Sequence, residues 1–440
     1  MVVVVARRLS ALDASFLALE TDDAPLHVGA LLVLEGPAPD EARLRSDLGR
    51  RVSAVPACRR RIRSRRADPL RPMWVEQPGF VPEQHLHLVR PDPAAAHPPS
   101  DEHAAWRDQV VDLMSRRLDT ARPPWEVWQL GGTGDRWAIL VKAHHSLVDG
   151  VTGSGLLAAL LAPDPSGQPA RGRSAQVRAA AAAPLPPRAV TWRERARRLR
   201  QAVRTVAVPD LPPSVLNGPV GSHRSWDWVT VDLDNVTGTA SRAGCTVNDV
   251  YLAALAGGLR SVLRERSLLA PATRVRVIVP VSLHGGGADA RQGNLDAAIF
   301  VELPVHLGTA RERLADVAAQ TRRAKADGVA LATEALVRAA DAVPAPVLRR
   351  AARSYVRRGQ ARVNLAASDV RGPVEPLSLC GCRVLEVVPC TPLALDVRVT
   401  SALMSYAGRA SLAVTVDSAV LPDAAPLLAA VVDSLAELGS

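Results

Sequence analysis

The chain has 440 residues, of which 48% are hydrophobic and 22% are charged. This length and balance exclude a disordered protein and leave room for two domains with substantial cores. The formal net charge is +10, which permits contact with an anionic membrane or with the phosphates of a ligand. The excess of arginine, alanine and proline is also what a G+C-rich genome produces.

The sequence contains no apolar stretch of about eighteen residues, the length that a membrane-spanning helix needs. The apolar N-terminus, residues 1–8, is too short for a signal sequence. Five cysteines and no secretory signal predict free thiols in a reducing compartment. Cys380 and Cys382 have no second pair beside them, so no metal site is predicted. We therefore expect a cytoplasmic protein whose membrane contact, at the inner face of the cell membrane, is peripheral.

Hydrophobic periodicity in the first 162 residues predicts alternating strands and helices. The predicted elements are a strand over Val28–Leu34, a helix capped by Asp40, a short strand over Met73–Glu76, a helix over Ala104–Leu118, and strands over Trp125–Gln129 and Trp137–Val141.

The last of these strands is followed by His144-His145-Ser146-Leu147-Val148-Asp149-Gly150 and then by a helical pattern. Strand-to-helix turns commonly carry the chemistry of α/β folds. A neutral imidazole is an effective general base, Asp149 can orient it or the turn, and Gly150 permits an unusual backbone angle. Adjacent histidines diverge, so one is expected to face a reaction and the other to pack. The alternative is a polar turn capped by Asp149.

Residues 163–215 differ in composition from the rest of the chain. Positions 163–210 carry ten arginines against three acidic residues, with several prolines. Residues 191–206 can form a basic helix that lies on an anionic membrane surface or stays solvated between domains. Nucleic acid is not an expected partner, because no recognition module accompanies the basic stretch.

Residues 216–440 read as a second α/β unit. The predicted elements are strands over Trp226–Leu233, Val275–Val281, Ala298–Val305, Arg383–Val388, Leu395–Met404 and Ala410–Val416, and helices over Asn248–Arg264 (capped by Thr246), Thr309–Lys325, Leu331–Arg358 (broken near Pro344) and from Pro422 to near Gly439.

Besides HHSLVDG, the sequence contains several further segments, which stand in this order: Leu9–Phe16, His27–Gly29, Arg122–Glu126, Leu216–Pro219 with His223-Arg224, Thr246–Val250, Val279–Leu283 with Gly293-Asn294, Ser405–Gly408 and Leu421–Asp423. The ordered set resembles the bacterial wax ester synthase/diacylglycerol acyltransferase family. HHSLVDG alone indicates only the wider superfamily of CoA-dependent acyltransferases that share HHxxxDG.

The resemblance implies a two-lobed α/β (α+β) fold, each lobe a mixed sheet with helices, and an active-site tunnel between the lobes. The lobes would comprise residues 1–162 and 216–440, joined by the basic linker over 163–215.

The resemblance also implies site residues. His145 would be the general base, and Asp149 would orient the motif, for instance through an arginine that the sequence does not identify. His144 would support the loop or help to hold the oxyanion, and Gly150 would support the turn. Ser146 needs no role as a nucleophile, because no acyl-enzyme forms.

Three further residues are assigned by resemblance to the substrate tunnel: Asn248, Asp249 and Trp125. For the first two, capping of the following helix is the alternative. The family pattern Asn-Val-Pro-Gly-Pro is replaced here by Asp369-Val370-Arg371-Gly372-Pro373, which exchanges an amide for a charge and removes a rigid proline.

The implied reaction needs no metal or cofactor and uses acyl-CoA as co-substrate. It esterifies diacylglycerol or a long-chain alcohol, giving triacylglycerol or wax ester, with peripheral contact to an anionic membrane or lipid droplet. One alternative is a condensation-type acyltransferase that uses another acceptor or a carrier-protein donor. Another, suggested by Asp369 and Arg371, is an acyl-CoA- or lipid-binding protein with little activity. Nothing in the sequence sets an oligomeric state.

Overall fold

A computed structural model describes residues 7–64, 71–89, 101–132, 134–147, 157, 160–163, 210–212, 214–271, 273–281, 297–327, 339–359 and 362–439. The helices are α1 (Ala11–Leu19), α2 (Glu41–Ser53), α3 (Glu102–Ser115), α4 (Leu233–Ala243), α5 (Val247–Glu265), α6 (Ala310–Ala326), α7 (Ala345–Gly359) and α8 (Ala425–Gly439). Two short 3₁₀ helices span Pro56–Arg59 and Pro82–His85. The predicted linker helix over 191–206 lies outside the described residues.

The strands form three sheets. They are β1 (Arg7–Arg8), β2 (His27–Glu35), β3 (Arg60–Arg63), β4 (Met73–Glu76), β5 (Leu86–Leu88), β6 (Trp125–Leu130), β7 (Arg136–His144), β8 (Ala162–Pro163), β9 (Arg224–Asp232), β10 (Val275–Val281), β11 (Ala297–Leu303), β12 (Leu365–Arg371), β13 (Leu377–Leu379), β14 (Cys382–Cys390), β15 (Val399–Tyr406) and β16 (Arg409–Asp417). Within the described ranges, the strand orders are β5-β6-β7-β2-β14-β13-β8, β11-β10-β12-β15-β16-β9 and β1-β4-β3.

The sheet that contains β2 and β7 has apolar side chains on both faces, because a helix covers each face. Alternate residues of these strands, such as Leu32 and Ile139, pack with α2. The residues between them, such as Leu31 and Leu140, pack with α3. This explains why both strands read as nearly continuous apolar runs.

The second sheet carries α5, α6 and α8 on one face, and α5 is buried along most of its length. Helices α5 and α8 lie close together because α5 has no side chain at Gly258. A Cβ atom there would lie 2.8 Å from the backbone nitrogen of Val431. The Thr246 cap of α5 is confirmed, with its side chain accepting from the Asp249 amide.

Two strands of the second half join the sheet of the first half. Residues of β14 pair with β2 from Val384 to Cys390, and β13 extends the same sheet. At the junction, Trp226 and Trp228 of β9 pack with α3. The two α/β units were predicted, but no sequence signal predicted this crossover, and the proposed division at residues 162 and 216 stays a prediction.

Besides several short strands, a helix and a strand of the second half were not predicted. Helix α4 follows β9 directly, and it is capped by Asp232 and ended by Gly244 in the left-handed conformation. Strand β12 runs parallel to both of its neighbours, β10 and β15. All five cysteines are free. None of the described helices is long and apolar enough to cross a membrane.

Candidate active site

The His-His pair lies where β7 ends. His144 is the last strand residue and is paired with His27 of β2, while its amide donates to the carbonyl of Pro124 at 2.9 Å. The His145 amide then donates to the carbonyl of Leu26 at 2.9 Å. The backbone of both histidines is therefore held by neighbouring chain segments before the turn begins.

His144 is completely buried, with 0% of its surface exposed. Its Nδ1 accepts a hydrogen bond from the Ser146 amide at 3.1 Å, so the proton of the neutral ring lies on Nε2. Burial lowers the pKa of His144 from 6.5 to about 4. His144 is thus a neutral imidazole that fixes the turn, and these contacts agree with its predicted support of the loop.

His145 is only partly buried, and its ring stacks on Phe16 of α1. The ring centroids are 4.1 Å apart and the planes are inclined by 29°. The two histidines therefore diverge, as their adjacency predicted, and His145 is the less buried of the two. Phe16 is a residue whose role sequence reasoning missed, although it belongs to the N-terminal segment that resembles the family.

Behind the pair lies a buried carboxylate that the sequence did not indicate. The Glu20 side chain is 2% exposed, and its Oε1 lies 3.3 Å from Nε2 of His27 and 3.8 Å from Nε2 of His144. Its Oε2 accepts from Arg117 at 2.8 Å. Burial opposes ionisation, but the contacts with His27 and Arg117 outweigh it and lower the pKa of Glu20 to about 2.

A buried lysine lies on the same face of β7 as His144. The Lys142 ammonium donates to the carbonyl of Leu113 at 2.8 Å and to that of Arg116, both at the C-terminal end of α3, where carbonyl groups lack partners within the helix. Burial lowers its pKa to about 8. Lys142 thereby fixes α3 against the strand that carries the histidines.

Asn248 and Asp249 occupy the first turn of α5 and differ in their contacts. The Asp249 carboxylate accepts from the Thr246 amide at 2.8 Å and from the Thr321 hydroxyl at 2.6 Å, so capping accounts for it. In contrast, Oδ1 of Asn248 is buried and accepts no hydrogen bond within the described part of the chain. Of the two, Asn248 has the free acceptor that a substrate-positioning residue requires.

Trp125 is 2% exposed and packs in the core. Its indole N–H donates to the carbonyl of Cys58 at 2.8 Å, and its ring stacks on His85 at 4.5 Å. It pairs with Ala143, so its side chain lies on the opposite face of the sheet from His144. Its tunnel role stays a prediction, and its observed contacts are those of a core residue.

The departures from the family pattern lie at the end of β12. Asp369 is partly buried, which raises its pKa, while Arg371 is exposed. The glycine of the pattern is explained by a close approach, because a Cβ at Gly372 would lie 2.2 Å from the carbonyl oxygen of Ser405. The same strand end brings Val370 against the core cluster that also contacts Leu147 of the motif.

Asp149 and Gly150 lie outside the described residues, so the predicted partner of Asp149 stays unassigned. A mainly apolar cavity lies between the halves, lined by residues that include His27, Met114, Trp226 and Leu393. Its lining includes His27 and not His145, so it is not the place where a substrate would meet the predicted base. The predicted tunnel stays a prediction.

Comparison with known proteins supports the family. The model of the wax ester synthase/diacylglycerol acyltransferase catalytic domain matches residues 9–207 and 174–251, and the model of the C-terminal domain of that family matches residues 292–439. A probable diacylglycerol O-acyltransferase, tgs1 of Mycobacterium tuberculosis, is 33% identical over 98% of this chain and 95% of its own.

Solved structures agree with the fold. The wax ester synthase/diacylglycerol acyltransferase from Marinobacter aquaeolei VT8 aligns over 98% of both chains with a TM-score of 0.70 and 24% identity. A trichothecene 15-O-acetyltransferase from Fusarium sporotrichioides aligns over 98% of this chain and 95% of its own, with a TM-score of 0.66 and 12% identity. The predicted two-lobed α/β fold is therefore confirmed. The chain belongs to the wax ester synthase/diacylglycerol acyltransferase family.

Proposed function

We propose that the protein transfers an acyl group from acyl-CoA to the hydroxyl group of diacylglycerol or a long-chain alcohol, with His145 as the general base. The observation that carries the proposal is the division of roles within the histidine pair. His144 is buried and its Nδ1 accepts a hydrogen bond from the Ser146 amide. His145 is partly exposed, and its ring stacks on that of Phe16. Family membership supplies the reaction class.

In the proposed reaction His145 first accepts a proton from the acceptor alcohol and later donates it to coenzyme A. His145 takes the proton of the acceptor hydroxyl as the oxygen forms a bond to the thioester carbonyl carbon. The tetrahedral intermediate then collapses and the carbon–sulfur bond breaks. The imidazolium returns its proton to the thiolate of coenzyme A, so the base is regenerated and no covalent enzyme intermediate is needed.

The neighbouring residues would act by holding the turn. A base is effective when its ring is fixed within hydrogen-bond reach of the substrate proton. The stacked ring of Phe16 restricts the His145 ring, and the hydrogen bond from the His145 amide to the Leu26 carbonyl restricts its backbone. Asp149 is assigned the same orienting role by the family pattern alone, and Asn248 is assigned to substrate positioning because its buried oxygen is available.

The acceptors are insoluble in water, so the enzyme would meet them at a lipid surface. We propose peripheral contact through the basic segment over residues 191–206, whose arginines favour anionic lipids. Co-sedimentation with vesicles that contain anionic lipid tests this contact. Binding that is unchanged after several arginines of residues 191–206 are replaced by glutamate would contradict it.

The proposed reaction is tested by thiol release from palmitoyl-CoA, with dioleoylglycerol and hexadecanol offered separately and the lipid products resolved. We expect release that depends on the acceptor, together with triacylglycerol or wax ester. Folded protein that releases no thiol with either alcohol would contradict the proposal. It would favour a carrier-protein donor, another acceptor, or binding of acyl-CoA without turnover.

A further inference from the structure

Helix α1 and the residue that follows it lie along the histidine turn. The carbonyl of Asp13 accepts from the Ser146 hydroxyl at 3.0 Å. Phe16 stacks on His145. Glu20, which follows the last residue of α1, faces His27 and His144. Two residues of α1 and its C-cap therefore lie beside the turn.

Glu20 also reaches the backbone of the base through one intervening residue. Its Oε1 accepts from the amide of Leu26 at 3.2 Å, and the carbonyl of Leu26 accepts from the amide of His145 at 2.9 Å. The Glu20 amide in turn donates to the carbonyl of Phe16 at 3.0 Å. The link to Leu26 is made by the Glu20 carboxylate, whereas the link to Phe16 is made by the main chain alone.

The charge of Glu20 is balanced within the protein. One guanidinium nitrogen of Arg117 donates a hydrogen bond to Glu20 at 2.8 Å, and another donates to Asp22 at 2.7 Å. The Glu20 side chain is 2% exposed, whereas that of Asp22 is 89% exposed. A buried carboxylate is costly unless it is paired and hydrogen-bonded, and here each oxygen has at least one donor.

Two buried imidazoles lie beside the carboxylate. Nε2 of His144 lies 3.8 Å from Oε1 of Glu20 and makes no hydrogen bond within the described part of the chain. Nε2 of His27 accepts from the Leu118 amide at 3.2 Å and lies 3.3 Å from Oε1 of Glu20. A single carboxylate therefore faces two buried imidazoles that belong to the paired ends of β2 and β7.

We propose that Glu20 is a positioning residue for the acyl transfer: its carboxylate accepts from the Leu26 amide and thereby fixes the chain segment that holds the backbone of His145. The proposal rests on the proposed function of His145. It assigns Glu20 no contact with substrate. It predicts that loss of the carboxylate slows the chemical step without weakening substrate binding.

The kinetic test compares Glu20→Gln and Glu20→Ala with a matched control, Asp22→Asn. The control removes the other partner of Arg117 but leaves the histidine contacts intact. Displacement of a base by a fraction of an ångström to one ångström costs about tenfold to a hundredfold in rate, so kcat should fall by that much in Glu20→Ala. The fall should be smaller in Glu20→Gln, whose side-chain oxygen can still accept from the Leu26 amide. The KM for palmitoyl-CoA should stay within about twofold, and the control should match wild type.

A second measurement does not depend on activity. Amide hydrogen exchange of peptides spanning residues 21–30 and 143–147 should accelerate in Glu20→Ala, less in Glu20→Gln and not in Asp22→Asn, because only the alanine variant leaves the Leu26 amide without its acceptor. If kcat and exchange in folded Glu20 variants both equal those of wild type, the proposal is wrong. If wild type transfers no acyl group but the exchange prediction holds, the proposed function fails and the structural role of Glu20 survives.

Discussion

We expect the protein to lose stability between pH 6.5 and pH 4, and we expect His144→Asn to remove a defined part of that loss. His144 has a folded-state pKa of about 4 against an ordinary value of 6.5. In this interval the unfolded chain binds a proton at His144 and the folded protein does not. The free energy of unfolding therefore falls as the pH is lowered, and the loss is complete once the folded imidazole also titrates.

The size of the effect follows from the pKa difference. One pKa unit corresponds to 1.36 kcal/mol, so the buried ring accounts for about 3 kcal/mol over the whole interval and about 2 kcal/mol by pH 5. His27, whose pKa burial also lowers, contributes in the same direction. Glu20 does not confuse the measurement, because its stabilisation is present above its ordinary pKa of 4.5 and is lost only as the pH falls towards 2.

The assay is urea unfolding followed by circular dichroism at about pH 7 and about pH 5. Asparagine suits the substitution because its side-chain oxygen can accept from the Ser146 amide, as Nδ1 does in wild type. His223→Asn, which removes an exposed histidine, is the control and should leave the pH dependence unchanged. Equal pH dependence in wild type and His144→Asn would refute the assignment of His144 as a buried neutral ring.

Three further substitutions test the packing around the site. Phe16→Leu should lower kcat by about tenfold with little change in KM, because His145 loses the flat ring that holds it; an unchanged kcat would contradict that role. Gly258→Ala should lower the free energy of unfolding by about 1–3 kcal/mol, because the new Cβ would clash with Val431 of α8. An unchanged free energy in urea unfolding would show that α5 and α8 can move apart without cost. Asp249→Ala should cost about 1–2 kcal/mol through the lost cap, which thermal unfolding detects; an unaltered melting temperature would remove the capping interpretation.

The sequence predicted the position of the histidine turn because the signals there are local. An apolar run favours a strand in the core, and β7 contains the predicted strand Trp137–Val141 and continues to His144. The start of α5 was equally readable, since Thr246 and Asp249 form a capping box within one turn. The divergence of His144 and His145 follows from their adjacency alone.

The remaining features depend on contacts between distant parts of the chain. Glu20 appears in the sequence as one acid in an acidic, polar stretch, and only the pairing of β2 with β7 brings it to His144. Strand β12 was missed because Ala366, Ala367 and Ser368 give little alternation, and its stability comes from its central place between two parallel neighbours. No local pattern predicts that β14 joins the sheet of the other half.

The most direct test of the central claim is a comparison of steady-state thiol release by wild type, His145→Ala and His144→Asn, each shown to be folded. If His145 is the general base, its loss should lower kcat by about 10²–10⁴-fold. His144→Asn, which keeps the acceptor for the Ser146 amide, should stay within about tenfold of wild type. Turnover by folded His145→Ala at the wild-type rate would contradict the assignment of His145 as the base.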